Sequence, residues 1–397
     1  MNSVKKVVLG LISIVLMLSC QEVEEPVQAD KEIELEKFQR FDNFNFRGQN
    51  SNVTRIRTIG DRLYYAHRIN PGYLTTDLEA QQLSGWRDNL LEFRQSLSSD
   101  YIAAVDRSLR GFNIYDTGGN RNLGFLSLDN LLEDLEGHKT VSLNINSLGN
   151  FEINDGKMLA NIHIVGSPFS RNSAYIFDLE KNTIFNGVLP NKDVLKVDFP
   201  ENTHRSDGDR IFKVNAFRDG WIASASTGDL NSSPNYLISK DGSVKNFTLN
   251  DRPNAVYMGH EFTSDGKLIM NVERHIYISE SGKVEDLKPH ISIDNFFNMR
   301  LIDDRMVIWN NRGARFYEVE NFDSHDPEIF NIRKLNNEGI EKSGINELEL
   351  FNGKVFAATS QGLFTKSLEN FWDSAPEPEE EDAQGKAFLE GIELLTN

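Results

Sequence analysis

A single cysteine in 397 residues excludes an internal disulfide, so packing and hydrogen bonding must hold this chain together. Positive charge is also scarce. Forty-two lysines and arginines face 60 aspartates and glutamates, for a formal net charge of −18. Such a surface repels phosphate backbones, which excludes nucleic acid as an expected partner of the folded body. The apolar run Val7–Leu18 has twelve residues, short of the roughly 20 that a membrane-spanning helix needs. Enzyme signatures are missing too. There is no His-Glu-x-x-His, no Gly-x-Ser-x-Gly, no P-loop and no Gly-x-Gly-x-x-Gly between a strand and a helix. The eight histidines are scattered, none at metal-ligand spacing, and Asp207-Gly-Asp209 lacks the other ligands of a calcium loop. Neither a metal nor a cofactor is expected. Sixty acids offer too many pairs for a glycosidase couple to be picked out.

What is present begins at the N-terminus. Lys5 and Lys6 precede the apolar run, and Ser19 and Cys20 follow it. This order is that of a cleaved signal peptide. Met17-Leu18-Ser19-Cys20 resembles a lipobox, although family lipoboxes usually carry leucine three residues before the cysteine, where this chain has Met17. The resemblance implies that residues 1–19 are removed and that Cys20 is lipidated, which attaches the protein to a membrane. Loss of two lysines leaves a body of charge −20. Residues 20–37 carry seven acids against two lysines and read as an acidic tether. Acids close behind a lipidated cysteine also resemble the surface-export signal of Bacteroidetes lipoproteins. Residues 376–397 carry seven acids against one lysine and read as an acidic tail, in which Phe388–Leu395 could form a short amphipathic helix.

Residues 38–375 carry a repeat. A polar turn, often Asp-Gly or Asn-Gly, precedes a short apolar strand, then a loop, then a second strand. The first apolar residues after the turns are Leu63, Ile102, Met158, Trp221, Leu268, Met306 and Val355. Their spacings of 39, 56, 63, 47, 38 and 49 residues bracket the 40–50 of a propeller blade, with two insertions. The turns suit two-residue hairpins, and the runs after them suit buried strands. The pattern resembles seven-bladed β-propellers of the broad WD40-like and YVTN-like kind. An all-β ring is therefore expected. The Trp-Asp dipeptide of WD40 blades does not recur through the copies, and none fits an Asp-box, so neither WD40 proper nor a sialidase is implied. The second copy is the weakest. A helix over 83–97 would leave six blades, and Leu128–Gly137 also reads as helical. The seventh copy lacks an outer strand, and Phe41–Phe46, an orphan alternating segment, is expected to close the ring.

The register marks also locate candidate site residues. Eight residues before each mark lie Arg55, Arg94, Asn150, Lys213, His260, Asn298 and Glu347; six before lie Arg57, Ser96, Glu152, Asn215, Phe262, Arg300 and Glu349. These positions are almost all polar, and the one between them is mostly apolar. An innermost strand with one face toward a wet central channel would show this alternation. A second set, Arg68, Arg107, Arg110, Arg171, Arg274 and Arg312, falls in the loops after the marked strands. Guanidinium groups gathered at one mouth would favour a carboxylate, sulfate or phosphate. Asp373-Ser374-Ala375 resembles the three-residue O-glycosylation motif of Bacteroidetes envelope proteins, with Ser374 as the acceptor.

The sequence thus favours a lipid-anchored propeller in the envelope of a Gram-negative bacterium, periplasmic or surface-exposed on the outer membrane. It would bind an envelope protein or an anionic glycan. The competing reading is a hydrolase or lyase acting on acidic polysaccharide through Arg55, Arg94, His260 and Glu347. An outer-membrane assembly factor fits the same residues. A deep cleft where His260 meets a carboxylate would mark the enzyme.

Overall fold

The computed structural model describes residues 35–41, 52–67, 71–83, 95–97, 101–106, 111–128, 142–143, 151–165, 170–181, 194–199, 210–226, 234–249, 255–293, 297–310, 315–324, 326, 328–375 and 392–395. The elements discussed below belong to one unit, Glu36–Asn397. They form seven antiparallel sheets whose innermost strands are Val53–Ile59, Gln95–Leu97, Phe151–Asn154, Arg210–Phe217, Tyr257–Phe262, Asn298–Ile302 and Ile345–Phe351. Each is followed in sequence by the strand beside it. The result is a seven-bladed propeller, and Gln95–Leu97 supplies a strand of blade two where a helix would have left six blades. Of Leu128–Gly137, all but Leu128 lies outside the described residues.

Each of the seven register marks lies in the second strand of its blade and is at most 1% exposed. The reason is visible in the hydrophobic clusters, which join consecutive blades. Tyr64 and Tyr73 of blade one pack with Ile102 and Tyr115 of blade two. Leu159 and Ile176 of blade three pack with Trp221 and Ile238 of blade four. At the junction that makes the structure a ring, Val53, Ile56 and Leu63 of blade one meet Phe351, Phe356 and Leu363 of blade seven. Alternate residues of every second strand therefore face opposite neighbours, and both faces are buried. That explains runs that are apolar throughout rather than alternating.

The ring is closed by the N-terminal side of the chain, as expected, but not by the expected residues. Gln39–Arg40 is the outer strand of blade seven, antiparallel to Gly362–Ser367 with Gln39 opposite Thr365 and Arg40 opposite Phe364. Phe41 continues it for one residue, its N–H donating to Leu363 O at 2.8 Å. Residues 42–46 lie outside the described residues. Sequence alternation over 41–46 pointed past the real strand, whose anchor precedes it. Phe38 is 4% exposed, stacks on Phe316 at 5.7 Å and meets Phe371 edge-on at 6.2 Å. Glu36 caps the same region, accepting from Ser367 N and from Asn370 Nδ2 at 3.2 and 2.6 Å. Its carboxyl is held below the usual range: burial opposes this, and the Ser367 and Asn370 hydrogen bonds outweigh it.

The C-terminus also departs from expectation. Ile392–Leu394 is a strand, not part of a helix, and it lies antiparallel to Lys288–Ile293, the outer strand of blade five. Three residues have too little local pattern to announce a strand; the exposed ladder of blade five decides it.

Candidate functional site

The innermost strands line a central cavity of about 690 Å³. Four of them, in blades one, four, five and seven, carry a bulge near their start, between Val53 and Arg55, Ile211 and Lys213, Tyr257 and Gly259, and Ile345 and Glu347. Beyond the bulge, alternate side chains face the cavity. Arg55, Lys213, Asn298 and Glu347 line it in one tier, and Arg57, Glu152, Asn215 and Arg300 in the next. The sequence register identified all eight. Arg94 and Asn150 lie outside the described residues.

Blade five corrects the register. In blades one, three, four, six and seven, the fifth residue before the mark pairs with it, as Thr58 does with Leu63 and Leu350 with Val355. In blade five Phe262, six before, pairs with Leu268. Its hairpin turn holds Ser264, Asp265 and Gly266, one residue more than the two-residue turns of those blades, with Gly266 at φ +89°. Counting back from Leu268 therefore slips by one. Glu261, not Phe262, takes the second-tier position, Gly259 takes the first, and His260 falls at the position that is Ile56, Val214, Met299 or Leu348 elsewhere.

His260 is half-buried and still lines the cavity. Its ring meets Phe217 of blade four at 5.0 Å and Phe262 at 5.6 Å. Its Nδ1 lies 2.6 Å from Tyr257 Oη, which accepts from Asn215 Nδ2 at 2.8 Å. Which of the two donates in the Tyr257–His260 bond is set by the imidazole tautomer. Burial, reinforced by the charge of Arg57, pushes its pKa down to about 4. Among the described residues no carboxylate pairs with it. The convergence that would mark a His-carboxylate catalytic couple is not formed.

Glu261 instead meets Arg300 of blade six at 2.9 Å, and Arg300 also pairs with Glu349 of blade seven. Burial disfavours the Arg300 charge, but Glu261 and Glu349 outweigh it and raise its pKa. Burial pushes the Glu261 carboxyl up, with Arg300 and Arg57 opposing. Arg55 reaches across to Glu152 of blade three at 3.4 Å. Its pKa is raised as well, Glu152 and Glu347 prevailing over burial. Glu347 is engaged differently: its Oε2 accepts the backbone N–H of Ile56 at 2.9 Å.

Two cations of the cavity are left over. Among the described residues, neither Arg57 nor Lys213 makes an ion pair or a side-chain hydrogen bond. Lys213 is half-buried; burial, then the neighbouring Arg55, lower its pKa, with Glu152 and Glu347 opposing. The site thus combines two arginines held in ion pairs with two cations that make none among the described residues, in a polar-walled cavity.

The second candidate set is not assembled by the described residues. Arg68, Arg107, Arg110 and Arg312 lie outside them. Arg171 is not in a loop: it sits in the long strand Ser170–Asp178, opposite Ile164, because this hairpin extends further than the apolar run suggested. Arg274 is exposed in the two-residue turn after Val272. Ser374 is exposed; its backbone bridges to Leu335 and its Oγ accepts from Arg333 at 2.9 Å. Cys20 lies outside the described residues. Among the described residues there is no group of three or more metal-ligating side chains, and no helix is long and apolar enough to cross a membrane.

No family model and no curated protein matches the sequence. Solved structures are similar in fold. The extracellular domain of a putative one-component system from B. thetaiotaomicron is 11% identical, with a TM-score of 0.49, over 83% of this chain and 40% of that one. PorZ, a surface component of the type-IX secretion system of Porphyromonas gingivalis, is 10% identical with a TM-score of 0.47, over 87% and 40%. A streptogramin B lyase is 11% identical with a TM-score of 0.47, over 83% and 96%. This chain therefore spans about two fifths of the first two, and all three likenesses concern fold alone.

Proposed function

We propose that this propeller is a lipid-anchored binding module of a bacterial cell envelope, held at the outer membrane through Cys20, and that its central channel takes an anionic group of its partner. The observation that carries this reading is the pair Lys213 and Arg57, two channel cations that make no ion pair or side-chain hydrogen bond among the described residues. A carboxylate or sulfate between them would relieve the crowding of Lys213 by Arg55 and gain charge-assisted hydrogen bonds. The cavity's volume of about 690 Å³ suits a small ligand or one end of a chain. That favours an anionic glycan over a folded protein as the partner. Ser374, exposed at the end of the propeller, is the proposed acceptor for an O-glycan, which intact-mass measurement of native protein would reveal.

A second reading is a hydrolase or lyase on acidic polysaccharide. It is favoured by Glu261 and Lys213, a carboxyl pushed up and an amine pushed down along one channel, the kind of separation that acid–base chemistry uses. Thermal-shift screening with uronate, sulfated and neutral oligosaccharides tests the binding reading. Stabilisation by the acidic set only is expected, and a response to none of them overturns it. Appearance of new reducing ends in the same mixtures would decide for the enzyme.

A further inference from the structure

Blade five alone, among the described residues, carries an additional strand on its outer edge. Ile392, Glu393 and Leu394 lie opposite Ile293, Ser292 and Ile291, and Leu395 N–H donates to His290 O at 2.8 Å. Ile392 packs onto the cluster between blades five and six, which contains Ile291 and Ile293. The edge is thus covered by backbone bonding and by one apolar side chain. Edges of this kind template the addition of a further strand.

The occupant is weakly held by its own length. Three residue pairs and one half-buried isoleucine make a small contact. Covalent connection, rather than the contact itself, would then set its occupancy, at an effective concentration of roughly millimolar order for a short linker. The propeller's last docked residue before it is Ala375, whose N–H donates to Lys334 O on blade six at 3.0 Å. Residues 376–391 then supply sixteen residues, with six acids, one lysine and two prolines. Sixteen residues can span at most about 50 Å. That length is enough for the strand to reach the same blade of another molecule.

We propose that the outer edge of blade five is a strand-acceptor site and that the C-terminal strand of a second copy takes it, so that two copies exchange tails reciprocally. The exchange uses one identical pairing in each direction and closes on itself as a two-fold dimer. It creates no contact that the single chain lacks, so it is governed by concentration. Two chains confined to a membrane surface would meet that condition.

The test uses the full chain. A fluorescent peptide of residues 388–397 is titrated against an I392P/L394P variant, whose own tail cannot form the ladder. The expected result is a saturable rise in anisotropy, with at least tenfold weaker apparent binding to the parent, whose tail competes. Light scattering on the unmodified protein, from about 1 to several hundred micromolar, is expected to show a rising dimer fraction that the variant lacks. This second measurement stands even if the variant misfolds. Absence of peptide binding to a folded variant overturns the acceptor site. A parent that stays monomeric throughout overturns exchange between copies, and an equal dimer fraction in parent and variant does the same.

Discussion

Glu347 of blade seven accepts the backbone N–H of Ile56 of blade one at 2.9 Å, across the seam where the two ends of the ring meet. Two residues on, Glu349 repeats the contact with Thr58 N at 3.0 Å, and Thr58 Oγ1 returns a bond to Leu350 O at 2.9 Å. An innermost strand has a ladder partner on one side only. At the seam, these carboxylates take the place of the second partner. Glu347, a candidate ligand residue by sequence, is therefore also a stitch in the ring.

The stitch predicts a graded loss. Glu347→Ala strands a partly buried N–H and removes one counter-charge of Arg55, so stability should fall by about 1–3 kcal/mol. Glu347→Gln keeps an acceptor oxygen and should lose less. Urea unfolding of the three proteins checks the order; equal midpoints would contradict it.

Closure by the N-terminal segment makes Phe38 a global determinant. Phe38→Ala opens a cavity among Phe316 and Phe371 and loosens the strand beside it. A loss of about 3–5 kcal/mol is expected, as one cooperative transition at lower temperature. Calorimetry that finds the parent's melting temperature would show that the strap is not part of the ring.

His260 sets a pH dependence. Its folded pKa of about 4 lies below the ordinary 6.5. The unfolded chain therefore binds the extra proton first, between pH 6.5 and 4. Stability from this residue is complete above pH 6.5 and is lost as pH falls through that window. The loss should amount to about 1–3 kcal/mol. His260→Gln should flatten the curve by that amount. Parallel curves for parent and variant between pH 7 and 4.5 would contradict the neutral, tyrosine-bonded imidazole.

Cys20→Ser should release the protein from membrane fractions, because the proposed anchor is a lipid on that thiol alone. Retention of the variant after a carbonate wash would contradict the anchor.

Most of the fold was legible because a propeller repeats its chemistry. Each mark from Leu63 to Val355 needed a buried second strand, and the sequence supplied apolar residues at matching places. The channel was legible for a similar reason, since period-two polarity located Arg55, Lys213 and Arg300. Blade five slipped because one turn residue was added. The signal was present: Phe262 is the lone apolar side chain in its row, and Glu261 beside it stands where five of the other six copies are apolar. The two terminal strands were harder. Gln39–Arg40 and Ile392–Leu394 are chosen by free edges elsewhere in the molecule, and two or three residues carry no period. Arg171 falls in a strand rather than a loop because strand length in that hairpin is set by cross-strand pairing out to Val165 and Ser170, beyond the apolar run.

The central claim is that the channel holds an anion between Lys213 and Arg57. Isothermal titration of a short oligogalacturonate into the parent and into Lys213→Ala/Arg57→Ala, at 0.05 and 0.5 M salt, tests it most directly. Screening shortens the reach of exposed charges to a few ångströms at the higher salt. Saturable binding by the parent at low salt is expected, at least about tenfold weaker at high salt and in the double variant, since one charge-assisted hydrogen bond is already worth 1.4 kcal/mol or more. The same affinity in a folded double variant, or no binding by the parent at either salt, would contradict it.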